Sequence, residues 1–338
     1  MNMPALGKLL FTVALGAAGG GVLAWFGAPA AWLSGAMITV AAGAASGLPV
    51  GIPDGVRTLV FILLGTSIGS AVTPETIAQV RAWPGSLVML GLAVAAMTAS
   101  STIHLTRVRA WESTTARFSS VPGALSQVLV MALRTKADIS RIAFAQSLRL
   151  FVLVAAMPWL LAGGGFSTTG EIAAELSLAD SLLVLAAGGV TGLILERLGV
   201  PGGALLGGML ASAVLHAAGI VEGRLPTLLL IIGFVVTGCV IGTRFRIVSL
   251  AMLRDALRGA LESVGLALAV SALFAFLAGR WLGLPFGQLW LAYAPGGVEA
   301  MTIMAFALGL DPAFVGAHHV VRLICLSIFV PLWVRNLR

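Results

Sequence analysis

Residues 294–301 read "APGGVEAM", set between "FGQLWLAY" (286–293) and "TIMAFALGL" (302–310). Proline and paired glycines interrupt a helix, and a carboxylate is costly in hydrocarbon. Yet both flanks are apolar enough to belong to a membrane. A second stretch of the same kind, "SSVPGALSQ", occupies 119–127, and its Pro122-Gly123 lies 173 residues before Pro295-Gly296.

The same shift carries Met131 to Met304, Asp138 to Asp311, Arg149 to Arg322 and Pro158 to Pro331. It also carries "GTSIG" (65–69) onto "GCVIG" (238–242), which read as small-residue helix-packing motifs. A shift of 172 carries Pro29, Leu33, Gly35 and Met37 to Pro201, Leu205, Gly207 and Met209. The chain therefore reads as two halves: a first transmembrane repeat at 1–165, a linker at 166–180 and a second transmembrane repeat at 181–338. Lys8 and the apolar run after it resemble a signal peptide loosely. A repeat partner at 178–198 argues for a retained helix instead.

The composition agrees with a membrane class. Of 338 residues, 59% are hydrophobic and 10% charged, and the mean hydropathy is +1.05. Runs long enough to cross a core of about 30 Å recur nearly end to end. The net charge of +7 is better explained by cytoplasmic Lys and Arg than by nucleic acid. Cys239 and Cys325 form no metal or disulfide motif.

The expected elements of the first half are 6–26, 29–49, 57–76, 83–106, a broken segment 112–134, and 138–162. Those of the second are 178–198, 201–219, 225–243, 256–281, a broken segment 286–308, and 312–335. If the broken segments re-enter and the N-terminus is cytoplasmic, 15 Lys and Arg fall inside and 3 outside. If both broken segments cross, the count is 9 against 9. The positive-inside rule favours the first arrangement. A break that crosses, offset by another segment that stops short, keeps the same parity. The expectation is an all-α polytopic protein with about ten spans, two inverted-topology repeats and two Pro-Gly-broken segments. Both termini then face the cytoplasm of a bacterial inner membrane, and the linker faces the periplasm.

Backbone freed by Pro and Gly must be buried in protein or line a wet cavity. The breaks end one half-helix near Ser120 and start others after Gly123 and near Gly297. Half-helix N-termini point donors and partial positive charge outward. Two of them would frame a polar pocket from Ser119, Ser120, Gly123, Ser126, Gln127, Gly296, Gly297 and Glu299. Glu299 reads either as a helix cap or as a coupling-ion or substrate group. Its repeat partner, Ser126, does not titrate.

Asp138 and Asp311 stand at helix starts and read as N-caps. Arg149 and Arg322 lie eleven residues later on the same face. They either clamp half-helix carbonyls or pair with an anionic substrate. His318 and His319 share the face of Arg322 and read as polar packing or as a proton-linked pair. No metal-ligand spacing accompanies them. Glu262 reads as a snorkelling residue, His104 and His216 as incidental.

These motifs resemble the duplicated membrane AbrB family of Gram-negative bacteria. "PAAWLSGAM" (29–37), "SSVPGALSQ", "APGGVEAM" and "GLDPAFVGAHHVVRL" (309–323) carry the likeness, which covers nearly the whole chain. The family carries inherited labels of regulator of gene expression and of ammonia monooxygenase. It is not similar to the small soluble DNA-binding protein of the same name. The resemblance also implies kinship with cation/proton antiporters and anion transporters, whose inverted repeats contain broken helices.

The expected function is secondary transport, ion- or proton-coupled, of a small solute. Helix N-termini and arginines favour an anion. The alternative is a membrane regulator acting indirectly on gene expression, since no helix-turn-helix is present. A monooxygenase needs several His, Asp or Glu ligands, and four histidines with two adjacent argue against it. No catalytic residue, metal or cofactor is expected. The expected partners are the bilayer, a solute and a coupling ion, without nucleic acid; a homo-oligomer stays open.

Overall fold

The computed structural model describes residues 4–70, 83–123, 125–133, 135–162, 175–247 and 250–335. Residues 166–174 of the expected linker lie outside the described residues, and so do the side chains of Ser126 and Gln127.

The described residues form fourteen α-helices. In the first half these are α1 (Ala5–Trp25), α2 (Ala31–Ala45), α3 (Asp54–Gly69), α4 (Trp83–Arg107), α5 (Ser113–Ser120), α6 (Leu125–Ala132) and α7 (Ile139–Ala162). In the second they are α8 (Leu178–Arg197), α9 (Gly203–Ala217), α10 (Thr227–Gly242), α11 (Leu250–Leu282), α12 (Phe286–Tyr293), α13 (Val298–Ala307) and α14 (Pro312–Arg335). A 3₁₀ turn, Thr243–Ile247, follows α10. Seven helices are long and apolar enough to cross a membrane, and α2, α9 and α13 are shorter apolar helices. The protein is a polytopic helical membrane protein.

α2 and α9 are shorter than their apolar runs suggest. At about 1.5 Å per residue they span roughly 22 Å, less than a bilayer core of about 30 Å. Gly47 (φ +82°) and Gly219 (φ +65°) end them in the left-handed region. The amide of Leu48 donates to the Gly43 carbonyl at 2.9 Å, and that of Ile220 to Leu215 at 3.1 Å, so orphan carbonyls are closed at both stops. In the opposite sense, α11 starts six residues before the expected 256.

Two compact units divide the chain, and each draws on both halves of the sequence. The first holds Met1–Gln79, Val154–Arg246 and Val298–Gly316; the second holds Val80–Leu153, Ile247–Gly297 and Ala317–Arg338.

In the first unit α2 packs on α1 and α10, and α9 packs on α8 and α3. The glycines expected to pack helices explain why. A Cβ on Gly65 or Gly69 would strike the carbonyls of Leu205 or Met209. One on Gly238 or Gly242 would strike the carbonyls of Leu33 or Met37. These contacts map onto one another under the shifts of 173 and 172. Small residues let backbones approach, which matters because lipid tails are as apolar as leucine and provide no hydrophobic drive for helix association. The cluster of Ala36, Val40, Ala44, Val50, Val235 and Cys239 fills the seam between α2 and α10.

In the second unit α4 packs on α11 and α5, and α11 packs on α12. Phe118, Val121, Val128, Ala132, Ala137 and Ile142 form a buried cluster around the first break.

Substituting Gly65 or Gly238 by valine should lower the unfolding midpoint of detergent-solubilised protein, at a cost of about 1–3 kcal/mol. Gly189→Ala should not, because a Cβ there meets nothing within 4 Å. Thermal melts of the three variants check this.

Candidate functional site

The second unit contains both Pro-Gly interruptions up to Gly297. Glu112 caps the start of α5, its carboxylate accepting from the amides of Thr114 (2.8 Å) and Thr115 (2.7 Å). Partial burial pushes this carboxyl up, but those hydrogen bonds outweigh it and hold Glu112 below the usual glutamate value. α5 stops at Ser120 because Pro122 forces Val121 into extended backbone (ψ 121°). α12 stops at Tyr293 in the same way, with Ala294 extended (ψ 142°) before Pro295.

A stopped helix leaves its last carbonyls without amide partners. Here side chains of the following long helix supply the donors. Arg149 on α7 donates to the carbonyls of Ser119 (3.4 Å) and Val121 (3.2 Å). Gln146 donates to the Phe118 carbonyl at 3.0 Å. Arg322 on α14 donates to the carbonyls of Ala294 (2.7 Å) and Gly296. His319 Nε2 donates to the Leu291 carbonyl at 2.9 Å, which fixes the hydrogen on that nitrogen. Two of these pairs recur at 173: Arg149–Val121 as Arg322–Ala294, and Gln146–Phe118 as His319–Leu291. The second carbonyl differs, Ser119 for Arg149 and Gly296 for Arg322.

Both arginines are buried, at 7% and 2% exposure, although a guanidinium strongly prefers water. A cation at a helix C-terminus meets the negative end of the dipole, which offsets part of that cost. Of the two readings the sequence left for the arginines, the clamp on half-helix carbonyls is formed.

His318 turns elsewhere. Its Nε2 lies 2.9 Å from the Ser86 hydroxyl, which lies 2.9 Å from the Tyr293 hydroxyl. Tyr293 donates to the Ser86 carbonyl at 2.9 Å. All three residues are fully buried. Trp83 meets the His318 ring edge-on at 6.0 Å. This chain ties α4 to the end of α12 and to α14. Sequence reasoning singled out neither Ser86 nor Tyr293. The lone tyrosine of the chain, placed directly before the break, was the available signal.

The remaining expected residues are placed as follows. Gly296 is buried, while Gly123 and Gly297 are half-buried. The Ser120 hydroxyl donates back to the Ala116 carbonyl at 2.8 Å. Ser119 Oγ, Arg322 Nε and His319 Nδ1 are buried without a hydrogen-bond partner among the described residues. Glu299 lies in the first turn of α13, half-buried, in the first unit. There it is within electrostatic reach of Arg244 in the 3₁₀ turn.

Asp138 and Asp311 cap α7 and α14, accepting from the amides of Arg141 (3.0 Å) and Ala313 (2.9 Å). Glu262 corrects its expectation. It does not snorkel alone; it pairs with Arg109 and lies 2.8 Å from His104, so His104 is not incidental either. The packing of α11 on α4 brings Glu262 beside the end of α4 and the loop after it.

The fold and these motifs define a multi-pass helical membrane protein. The chain belongs to the AbrB family: residues 32–338 match the model described as "Transition state regulatory protein AbrB". It is 27% identical over 315 residues to "Putative regulator AbrB" of Escherichia coli K12, covering 90% of this chain and 88% of that protein. It is also 27% identical over 361 aligned positions to "Uncharacterized protein YhjN" of Bacillus subtilis 168, covering 98% and 93% of the two chains.

Ser86→Ala and Tyr293→Phe should each destabilise by about 1–2 kcal/mol, since each removes one end of a buried bond. The double variant should cost less than the sum. A double-mutant cycle of unfolding midpoints measures the difference.

Proposed function

We propose that this protein is a secondary transporter of a small solute, coupled to an ion or to protons. One observation carries the reading. Both halves interrupt the same helix at the same register, and in both the freed carbonyls are held by the same arginine of the next helix. Paired discontinuous helices in repeats are how many transporters expose backbone groups within the bilayer. A protein that only needed to span the membrane would have no use for two such breaks, each costly in unsatisfied backbone.

The repeats are inverted in this reading. Helix bounds recur at 172 for α2 and α9 (Ala31–Ala45 and Gly203–Ala217) and at 173 for α3 and α10, α5 and α12, and α7 and α14. The exchange of partners between α2·α10 and α9·α3 supports a two-fold relation. An odd number of crossings per half, required by the charge count, makes it an inversion. The membrane is then crossed ten times, with both termini in the cytoplasm of a bacterial cell. The halves 1–165 and 181–338 are the repeats, and 166–180 is periplasmic.

Glu299 is the coupling carboxylate in this scheme. It is the titratable group in the first turn after the second break, and its repeat partner is a serine. The second reading is a regulator, favoured by the names of the family and of its E. coli relative. Solute flux separates the two.

Two measurements follow. In a background lacking Cys239 and Cys325, a cysteine at Glu222 should react with an impermeant reagent on intact spheroplasts, and one at Asp54 only after lysis. The reverse pattern, or equal reaction, removes the inverted arrangement. Second, proteoliposomes should be screened with small carboxylates under an imposed pH gradient, following internal pH with a trapped dye. Gly296→Leu should abolish flux while the protein still inserts. Glu299→Gln should uncouple solute movement from the gradient but permit exchange. Wild-type coupled flux in Glu299→Gln would reduce the residue to the partner of Arg244.

A further inference from the structure

The two clamping arginines do more than satisfy carbonyls. Arg149 and Arg322 are within electrostatic reach of each other, so their charges repel across a buried region. Ion pairs among the described residues involve Asp54, Asp138 and Glu262, and none reaches either arginine. Both arginines donate to backbone carbonyls.

The charge balance is therefore incomplete. Each half-helix C-terminus presents about half a negative charge. Two full guanidinium charges set against two such termini leave roughly one positive charge uncompensated. In a low-dielectric interior an unbalanced charge is costly, so a counter-charge there is strongly favoured.

The unsatisfied polar atoms point the same way. Arg322 Nε is buried and can only donate. Ser119 Oγ is buried without a partner, on the residue whose own carbonyl is held by Arg149. A guanidinium N–H and a hydroxyl lack an acceptor, and no carboxylate of the described chain supplies one. All these groups belong to the second compact unit.

We infer that Arg149 and Arg322 together hold one small monovalent anion, of the halide or carboxylate class, with the Ser119 hydroxyl and Arg322 Nε–H donating to it. This deepens the transport reading and rests on it for the anion's role, but the binding itself is testable alone. A divalent anion over-neutralises the pair, so sulfate is the discriminating control.

The test uses purified full-length protein. Equilibrium dialysis with radiolabelled chloride and with radiolabelled acetate, at constant ionic strength set by sodium sulfate, should show saturable binding of one anion per chain. The unfolding midpoint should rise saturably over the same range. Arg149→Gln and Arg322→Gln should each weaken binding by about tenfold or more. If either variant fails to fold, wild-type stoichiometry and competition between chloride and acetate still decide. Chloride binding alone identifies an inorganic ion; acetate binding that competes with it identifies a carboxylate site. Absence of saturable binding to wild type, equal competition by sulfate, or unchanged affinity in both folded variants overturns the inference. Solute flux without saturable anion binding overturns the site and leaves transport standing. Saturable binding without any flux does the reverse.

Discussion

Contact of glycine on a carbonyl is the constraint on which the first unit depends. Gly65 and Gly69 lie against the backbone of α9, and Gly238 and Gly242 against that of α2. No other residue fits, since a single methyl would land on an oxygen. The gain per atom pair is small, about 0.1–0.2 kcal/mol, but backbone-to-backbone packing collects many such pairs. In lipid, where burial of apolar surface offers little, this is the force available. The short lengths of α2 and α9 follow from it: they are shaped to sit against a partner rather than to meet the lipid along a full crossing.

The second unit solves a different problem. A helix broken in a protein interior must find donors for its last carbonyls. Arg149 and Arg322 serve because a guanidinium offers several donors in one plane and can hold two carbonyls at once; those of Arg322 flank Pro295, while those of Arg149 both precede Pro122. Gln146 and His319 add one donor each at the same register. The two are chemically unlike, and the geometry they serve is the same. Position is thus more constrained than residue type, which is how two halves of low similarity keep one architecture.

Much of this was legible in the chain itself. Pro122-Gly123 and Pro295-Gly296 located both breaks to within a residue or two, because proline excludes the helical state of the residue before it. Asp138 and Asp311 were readable as caps for the same local reason. Gln146 was missed, although the 173 shift from His319 leads straight to it; polarity inside an apolar helix was the overlooked signal. The Ser86–Tyr293 bond was not readable at all. Its partners are 207 residues apart, and their repeat positions, Gly259 and Ser120, do not reproduce it. The partners of Glu262, His104 and Arg109, lie 158 and 153 residues away and were no more readable. Local rules find where a chain must turn; a cross-chain pair depends on packing that no local rule contains.

The reciprocal seam has an evolutionary corollary. In the first unit, α3 of one half rests on α9 of the other, and α10 on α2. A half-length ancestor would have exposed glycine grooves with nothing of its own to fill them. Its grooves would have been filled only by a second copy of itself. Fusion of two such genes would then have freed each copy to diverge, and one break now carries Glu299 where the other has Ser126.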